Sequence, residues 1–174
     1  MIFYINGTSS SGKTTLAKEL QEAIPQPVIY FSTDALIYSL SPKIIEAIQG
    51  KRKFEVSVDW NNIFKGYFEC VAALSLAKNV VIADCPIYTE GTFKLFQESL
   101  QKIPQKILIG LKCPLDVLVE REKNRKDRDP GLAESQFKDI HTFIKYDLMV
   151  DSHIHNPAEI IKIILNMDAK AISR

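Results

Sequence analysis

The sequence predicts an α/β fold in which one parallel sheet of five strands carries helices on both faces. Short apolar segments rich in β-branched residues alternate with longer segments whose apolar residues have helical spacing, a pattern typical of parallel strands joined by helical crossovers. The segment Val80–Ala83 is apolar throughout, as expected for a strand buried on both faces. With 174 residues, of which 46% are hydrophobic and 25% charged, the chain is predicted to form a single domain over 1–174.

Five segments are predicted to be strands: Ile2–Ile5, Val28–Phe31, Val80–Ala83, Lys106–Leu111 and Asp147–Val150. Six longer segments are predicted to be helices: Lys13–Ala23, Asn61–Lys78, Thr92–Gln101, Pro114–Asn124, Glu134–Lys145 and Pro157–Met167. Two segments interrupt the alternation. Residues 35–60 contain a short helical pattern, Pro42–Ile48, and are predicted to form an insertion over the carboxyl edge of the sheet. Residues 121–133 are dense in charge and contain Pro130-Gly131, which favours a mobile lid.

A complete phosphate-binding motif, G-x-x-x-x-G-K-[ST], follows the first predicted strand and precedes the first predicted helix. We call it the phosphate loop, and it consists of Gly7, Thr8, Ser9, Ser10, Ser11, Gly12, Lys13 and Thr14. Its glycines let consecutive backbone N–H groups point at a phosphate, and the positive end of the following helix favours anions. Lys13 is predicted to reach the β- and γ-phosphates and Thr14 to supply a ligand to Mg²⁺. The predicted cofactors are therefore ATP and Mg²⁺, with Thr15 and Arg121 also contacting the nucleotide; a preference for GTP is equally compatible with the motif.

Two aspartates follow predicted strands, at the sheet edge where ligands of open α/β folds bind. Asp34 is predicted to be the general base that orients a hydroxyl and accepts its proton during attack on the γ-phosphate. The alternative is that Asp34 is the N-cap of a helix that begins at Ala35. Asp84 ends an apolar strand, as in the Walker B pattern, and is predicted to hold Mg²⁺ or its waters; an aspartate in an ordinary turn gives the same local pattern.

Three arginines, Arg121, Arg125 and Arg128, are spaced by four and then three residues. This spacing predicts that they share one face of a helix. Arg125 and Arg128 are predicted to be catalytic, because a planar guanidinium matches the equatorial oxygens of a transferring phosphoryl group. The alternative is a solvated helix face, which the interspersed acidic residues, Glu122 among them, support.

Further polar and aromatic residues allow two interpretations each. His141 could orient a substrate or a phosphate, or be an ordinary core or surface histidine. The run Lys51-Arg52-Lys53 could bind an additional phosphate or simply be solvated. Trp60, Tyr67 and Phe68 could line a substrate pocket, although aromatic residues near a helix start more often belong to the core.

Composition restricts the partners of the chain. The net charge of +1 provides no global attraction to nucleic acid or to an anionic membrane. The three cysteines are widely spaced without a CxxC pair, which favours reduced thiols in the cytoplasm. The first strand begins at the start of the sequence, which predicts no signal peptide, and no apolar run is long enough for a membrane span. We expect a small-molecule substrate and a cytoplasmic location, with the oligomeric state open.

The motifs together resemble those of the chloramphenicol phosphotransferase-like family of small P-loop kinases, over nearly the whole chain. The matching segments are Ile5–Lys13, Phe31–Ile37, Ala83-Asp84, the group Cys113, Arg121, Arg125, Asp127 and Arg128, and His141 with Tyr146-Asp147. The resemblance implies a three-layer, nucleoside-kinase-like P-loop NTPase fold with an arginine-rich lid, and it assigns the catalytic base to Asp34. The region between Ser39 and Trp60, where such kinases bind the acceptor, departs from the chloramphenicol enzyme, so the resemblance does not extend to the acceptor.

The sequence therefore predicts an ATP-dependent kinase that transfers the γ-phosphoryl group to a hydroxyl of a small molecule. One alternative is a kinase of a nucleotide, a sugar or a nucleic-acid end. An alternative of another class is a nucleotide-binding switch with little turnover. A regulatory GTPase is disfavoured because the sequence lacks the Asn-Lys-x-Asp motif that reads the guanine base.

Overall fold

A parallel sheet of five strands forms the centre of the protein, as the sequence predicts. The computed structural model describes residues 1–49, 57–125 and 131–172, with side chains described as far as residue 167. The strands are β1 (Ile2–Asn6), β2 (Val28–Ser32), β3 (Val80–Asp84), β4 (Lys106–Lys112) and β5 (Leu148–Asp151). They pair in the order β2-β3-β1-β4-β5, and every neighbouring pair is parallel.

Eight helices lie among the described residues. They are α1 (Lys13–Ala23), α2 (Thr33–Ile37), α3 (Pro42–Ile48), α4 (Trp60–Leu76), α5 (Glu90–Leu100), α6 (Leu115–Lys123), α7 (Leu132–Phe137) and α8 (Pro157–Ile172). No helix of the described ranges is long and apolar enough to cross a membrane.

The sheet separates two hydrophobic cores, which gives the molecule three layers. Alternate residues of β1 point to opposite faces: Ile2 and Tyr4 belong to one core, whereas Phe3 and Ile5 belong to the other, as the two-residue period of a strand requires. The first core packs against α4 and α5, and the second packs against α1 and α8. The α/β fold class with helices on both faces is confirmed.

Most predicted element boundaries agree with the structure to within two residues, and α1 and α3 agree at both ends. The prediction of one helix over Glu134–Lys145 is wrong, because helix α7 ends at Phe137. Beyond it the backbone makes turns in which the Asp139 carbonyl accepts both the N–H and the hydroxyl of Thr142. Side-chain bonds of this kind compete with the helical ladder. The final helix continues to Ile172, beyond the predicted end at Met167.

Strand order decides where polar side chains meet. Strand β1 lies between β3 and β4, and the chain passes first to one side of it and later to the other. The carboxyl end of β1 is therefore the switch point at which open α/β sheets bind ligands. The phosphate loop begins at this point, and Asp84 is level with Ile5 on one side and with Ser32 on the other.

Candidate active site

The two glycines of the phosphate loop meet different steric requirements. A Cβ on Gly7 would lie 2.7 Å from the carbonyl oxygen of Leu111, so the loop can leave β1 against β4 only without a side chain there. Gly12 caps α1 in the left-handed conformation, with φ of 94°, which glycine adopts without penalty. Ser10 also has a positive φ, of 63°, a conformation that costs energy for a residue with a Cβ.

The interior of the loop suits an anion. The Lys13 ammonium donates a hydrogen bond of 2.9 Å to the Thr8 carbonyl, so this cation lies at the beginning of the loop. The hydroxyl oxygens of Ser10 and Ser11 are buried and have no hydrogen-bond partner among the described residues. Buried polar groups are normally paired, and two unpaired hydroxyls beside a lysine fit the phosphate oxygens of a nucleotide. The loop is therefore suited to hold the triphosphate of ATP.

Asp84 and Thr14 form a small oxygen cluster at the edge of the loop. The Thr14 hydroxyl donates to Asp84 Oδ2 at 3.4 Å, and the Tyr30 hydroxyl donates to the same oxygen at 3.1 Å. Burial, followed by the charge of Asp84, raises the pKa of Tyr30 well above its usual range, so this hydroxyl remains a donor at neutral pH. The remaining carboxylate and hydroxyl oxygens are of the type that Mg²⁺ prefers.

The chemistry of this cluster matches Mg²⁺ bound together with a nucleotide. The described residues contain no group of three or more histidine, cysteine, aspartate or glutamate side chains that could hold a metal alone. Mg²⁺ usually binds through one or two protein ligands and completes its shell with phosphate and water oxygens. Thr14 and Asp84 are the residues that would hold it, and their role as Mg²⁺ ligands stays a prediction.

Asp34 lies in the first turn of helix α2. The helix begins at Thr33, and its N-cap is Ser32, whose hydroxyl oxygen accepts the Ala35 N–H at 3.1 Å. The interpretation of Asp34 as an N-cap is therefore wrong: serine takes that role two residues earlier. Asp34 contributes to the wall of the large cavity described below, which leaves its predicted role as a base open.

Arg121 and Arg125 do not share one helical face. Helix α6 ends at Lys123, because Asn124 caps it and the Asn124 side-chain amide donates to the Glu120 carbonyl at 3.1 Å. Arg125 therefore lies beyond the helix, although it still lines the cavity. Arg121 donates to the Ser10 carbonyl at 3.5 Å and to the carbonyl and hydroxyl of Ser152, which places it against the phosphate loop. Arg128 is outside the described residues.

Two buried polar residues, Glu122 and Gln136, make contacts that the sequence did not predict. Glu122 is only 3% exposed, and its carboxylate accepts the backbone N–H groups of Gly131 at 2.8 Å and Ala133 at 2.9 Å. The solvated-face interpretation is therefore wrong for Glu122. Gln136 is equally buried, and its Oε1 accepts the Ser9 N–H of the phosphate loop at 2.7 Å. Neither residue belongs to a local motif, so the sequence provides no signal for these contacts.

His141 belongs to a buried network behind the loop rather than to the cavity wall. Its Nδ1 lies 3.0 Å from the Tyr146 hydroxyl, which also accepts from the Asn6 side-chain amide at 2.6 Å. Burial, then the charges of Lys112 and Lys13, lower the pKa of His141 to about 4. The histidine is therefore neutral at pH 7, and the network fixes the end of β1, from which the phosphate loop starts.

A cavity of about 1200 Å³ connects the phosphate loop to an apolar region. The loop, Asp84 and Arg121 form one end. The other end is formed by apolar side chains of α2, α3 and α4: Ile37, Tyr38, Ile45, Ile48, Trp60 and Phe64. Tyr67 and Phe68 are fully buried in the core, whereas Trp60 is 38% exposed and lines the cavity. The described part of the predicted insertion 35–60 thus stands beside the loop; Lys51-Arg52-Lys53 is outside the described residues.

The parallel sheet, the phosphate loop after its central strand and the flanking aspartates are the architecture of a small P-loop kinase. The profile of the chloramphenicol phosphotransferase-like protein family matches residues 1–168, and the chain belongs to this family. No curated protein matches the chain in sequence.

Several solved structures share the fold. A sugar kinase from Janibacter sp. HTCC2649 is 20% identical, with a TM-score of 0.71 over 95% of this chain and 92% of that chain. Shikimate kinase from Aquifex aeolicus is 22% identical, with a TM-score of 0.60 and 100% of both chains covered. The tunicamycin resistance protein of Deinococcus radiodurans is 17% identical, with a TM-score of 0.62 over 95% and 94%. At these identities the likeness concerns the fold, and the predicted nucleoside-kinase-like P-loop architecture is confirmed.

Proposed function

We propose that this protein is an ATP-dependent phosphotransferase whose acceptor is a hydroxyl group on an uncharged small molecule with an apolar or aromatic body. The observation that carries the proposal is the shared cavity, which Asp34 lines together with the phosphate loop and the apolar side chains of α2–α4. A hydroxyl acceptor bound in this cavity would share it with the Asp34 carboxylate and the phosphate loop. Membership of a phosphotransferase-like family supports the same reaction class.

The distribution of charge in the cavity favours an acceptor without a phosphate of its own. Among its described lining residues, the lysine and arginine side chains are Lys13, Arg121 and Arg125. Lys13 and Arg121 contact the phosphate loop, and Arg125 follows the C-cap of helix α6. The apolar wall of α2–α4 contributes aliphatic and aromatic surface instead, which binds apolar rings through burial and stacking.

The proposed reaction forms one bond and breaks one bond. When bound, ATP supplies the γ-phosphoryl group, and Mg²⁺ neutralises its oxygens. The acceptor oxygen bonds to the γ-phosphorus while the bond from that phosphorus to the β,γ-bridging oxygen breaks, which gives a phosphate monoester and ADP. Asp34 accepts the hydroxyl proton, and Lys13 with the arginines offsets the negative charge.

The direct test is labelled phosphate transfer from ATP to a panel of acceptors: aromatic alcohols including chloramphenicol, sugars, nucleosides and phosphorylated sugars. The Asp34→Asn variant is expected to lose about 100-fold or more in turnover, because removal of a general base typically has this effect, while its affinity for ATP stays within about threefold of wild type. Asp59→Asn is the matched control, because Asp59 caps α4 on the surface and asparagine caps equally well.

The apolar wall has its own test. Phe64→Ala is expected to raise the KM of an aromatic acceptor several-fold without changing ATP affinity, since Phe64 lies on the acceptor side of the cavity. Wild-type turnover in Asp34→Asn would remove the base from the proposal. Transfer to phosphorylated acceptors alone would favour the alternative of a sugar-phosphate or nucleotide kinase, and tight ATP binding with no product would favour a switch protein.

A further inference from the structure

We propose that Gln136 binds the γ-phosphoryl end of ATP through its side-chain amide nitrogen, as a phosphate-contacting residue supplied by helix α7. The proposal rests on the proposed function, because it requires that ATP occupy the phosphate loop. It assigns a ligand contact to a residue that lies outside every sequence motif of the site. The geometry that supports it is the buried contact between Gln136 and Ser9.

The contact with Ser9 determines which end of the amide faces the cavity. A backbone N–H can only donate, so the atom of Gln136 that lies 2.7 Å from the Ser9 nitrogen must be the carbonyl oxygen, Oε1. The amide nitrogen Nε2 is then directed away from Ser9. The hydrogen bond found for the Gln136 side chain among the described residues is the one through Oε1, and this side chain forms part of the cavity wall. Two N–H donors are therefore presented to the cavity.

The position along the loop indicates the γ-phosphoryl end. Lys13 Nζ donates to the carbonyl of Thr8, the residue immediately before Ser9. The lysine of a phosphate loop reaches the β- and γ-phosphates, whereas the backbone N–H groups of the loop bind the α- and β-phosphates. Gln136 and Lys13 thus reach the same Thr8–Ser9 segment, at the β/γ end of the nucleotide.

The amide is held rigidly before any ligand arrives. Helix α7 begins where the carboxylate of Glu122 accepts the N–H groups of Gly131 and Ala133, and Ala133 packs against Leu118 of α6. Gln136 itself is 3% exposed. A donor fixed in this way stabilises developing negative charge without a free-energy cost for reorienting the donor during the reaction.

The test compares the affinities of two nucleotides that differ only at the γ-phosphoryl group. Dissociation constants for ADP and for a non-hydrolysable ATP analogue are measured by calorimetry with Mg²⁺ present. Gln136→Glu keeps an oxygen for the Ser9 N–H and replaces the amide donors with a carboxylate oxygen. Affinity for the ATP analogue is expected to fall at least tenfold more than affinity for ADP. Gln21→Glu is the control, because Gln21 bonds the Val28 carbonyl away from the cavity.

A second variant separates ligand contact from structural support. Gln136→Leu removes both the acceptor for Ser9 and the donors to the cavity, so its melting temperature is measured with its affinities. We expect the ATP analogue again to lose more affinity than ADP. Equal losses for the two nucleotides in both variants, or unchanged affinities in Gln136→Glu, would overturn the proposal and leave Gln136 a support of the loop. Wild-type binding without any acceptor phosphorylation would instead refute the proposed function while leaving this comparison valid.

Discussion

Replacing Glu122 with alanine is expected to destabilise the protein strongly, although Glu122 belongs to a run of charged residues that is typical of a solvated helix face. The buried carboxylate accepts two backbone N–H groups, those of Gly131 and Ala133, at 2.8 and 2.9 Å. Both groups lie at the beginning of α7, where the first N–H groups of a helix have no partner within the helix. Alanine would leave these donors without their acceptor.

The magnitude follows from the two bonds. A hydrogen bond to a charged group contributes about 1.5 to 3 kcal/mol, so two such bonds set an upper range of about 3 to 6 kcal/mol. The bond to Gly131 is only partly buried, whereas the bond to Ala133 is fully buried, so water replaces part of the first. We therefore expect a loss of about 3 kcal/mol, equivalent to a fall of about 6 to 12 °C in Tm for a chain of this size.

Chemical denaturation and calorimetry measure this loss directly. Glu120→Ala is the matched control: Glu120 is an exposed residue of the same helix, and its removal should change stability by less than about 0.5 kcal/mol. If Glu122→Ala were as stable as Glu120→Ala, the carboxylate would not hold the start of α7, and the solvated-face interpretation would be restored.

Three further predictions concern the nucleotide site and its support. Lys13→Met should abolish the rise in Tm that ATP produces in the wild type, expected to reflect about 2.7 kcal/mol at a ligand concentration 100 times Kd; an unchanged rise would contradict the assignment of the loop. Tyr30→Phe should weaken the Mg²⁺ dependence of nucleotide binding several-fold, because the Tyr30 hydroxyl donates to the Asp84 carboxylate. Tyr67→Phe should weaken it less, because the Tyr67 hydroxyl donates to the Phe31 carbonyl; equal titrations would show that Asp84 needs no support from Tyr30. His141 has a pKa of about 4 in the folded protein, below its usual 6.5. As the pH falls, the unfolded chain therefore takes up the proton first. The stability that His141 contributes is complete above pH 6.5 and is lost as the pH falls towards 4. His141→Gln should therefore show a smaller drop in Tm between pH 7 and pH 5 than the wild type, and identical drops would contradict the assigned burial.

The parts of the fold that the sequence predicts well are those in which a local pattern and the buried environment agree. The strands β1 and β3 are apolar on both faces because the sheet is covered on both sides, and their pattern has no competing interpretation. The starts of α4 and α5 are predicted one and two residues late; they follow Asp59 and Thr89, whose side chains accept N–H groups of the first turn. The prediction of one helix over Glu134–Lys145 fails because the local pattern and the folded structure disagree there. The composition of the segment permits a helix, but side-chain hydrogen bonds close turns instead.

The residues of the candidate site also differ in whether the sequence predicts their positions. The phosphate loop and Asp84 could be placed from sequence because a contiguous motif and parallel strand order bring them together. Gln136 could not be placed, since its partner in the loop is 127 residues away and any polar residue of a short helix has the same local appearance. Glu122 was misinterpreted because burial of a carboxylate depends on backbone N–H groups that only the tertiary structure brings close.

These long-range contacts hold helices α6 and α7, which flank the predicted lid of residues 121–133, against the phosphate loop. Arg121 of α6 donates to the Ser10 carbonyl, and Gln136 of α7 accepts the Ser9 N–H. Two consecutive residues of the phosphate loop are thus held from two helices, and Glu122 joins those helices to each other. A displacement of α7 away from α6 would break both bonds of Glu122 and pull on the loop. Glu122 therefore holds α6 and α7 together, and the two helices hold the phosphate loop at Ser9 and Ser10.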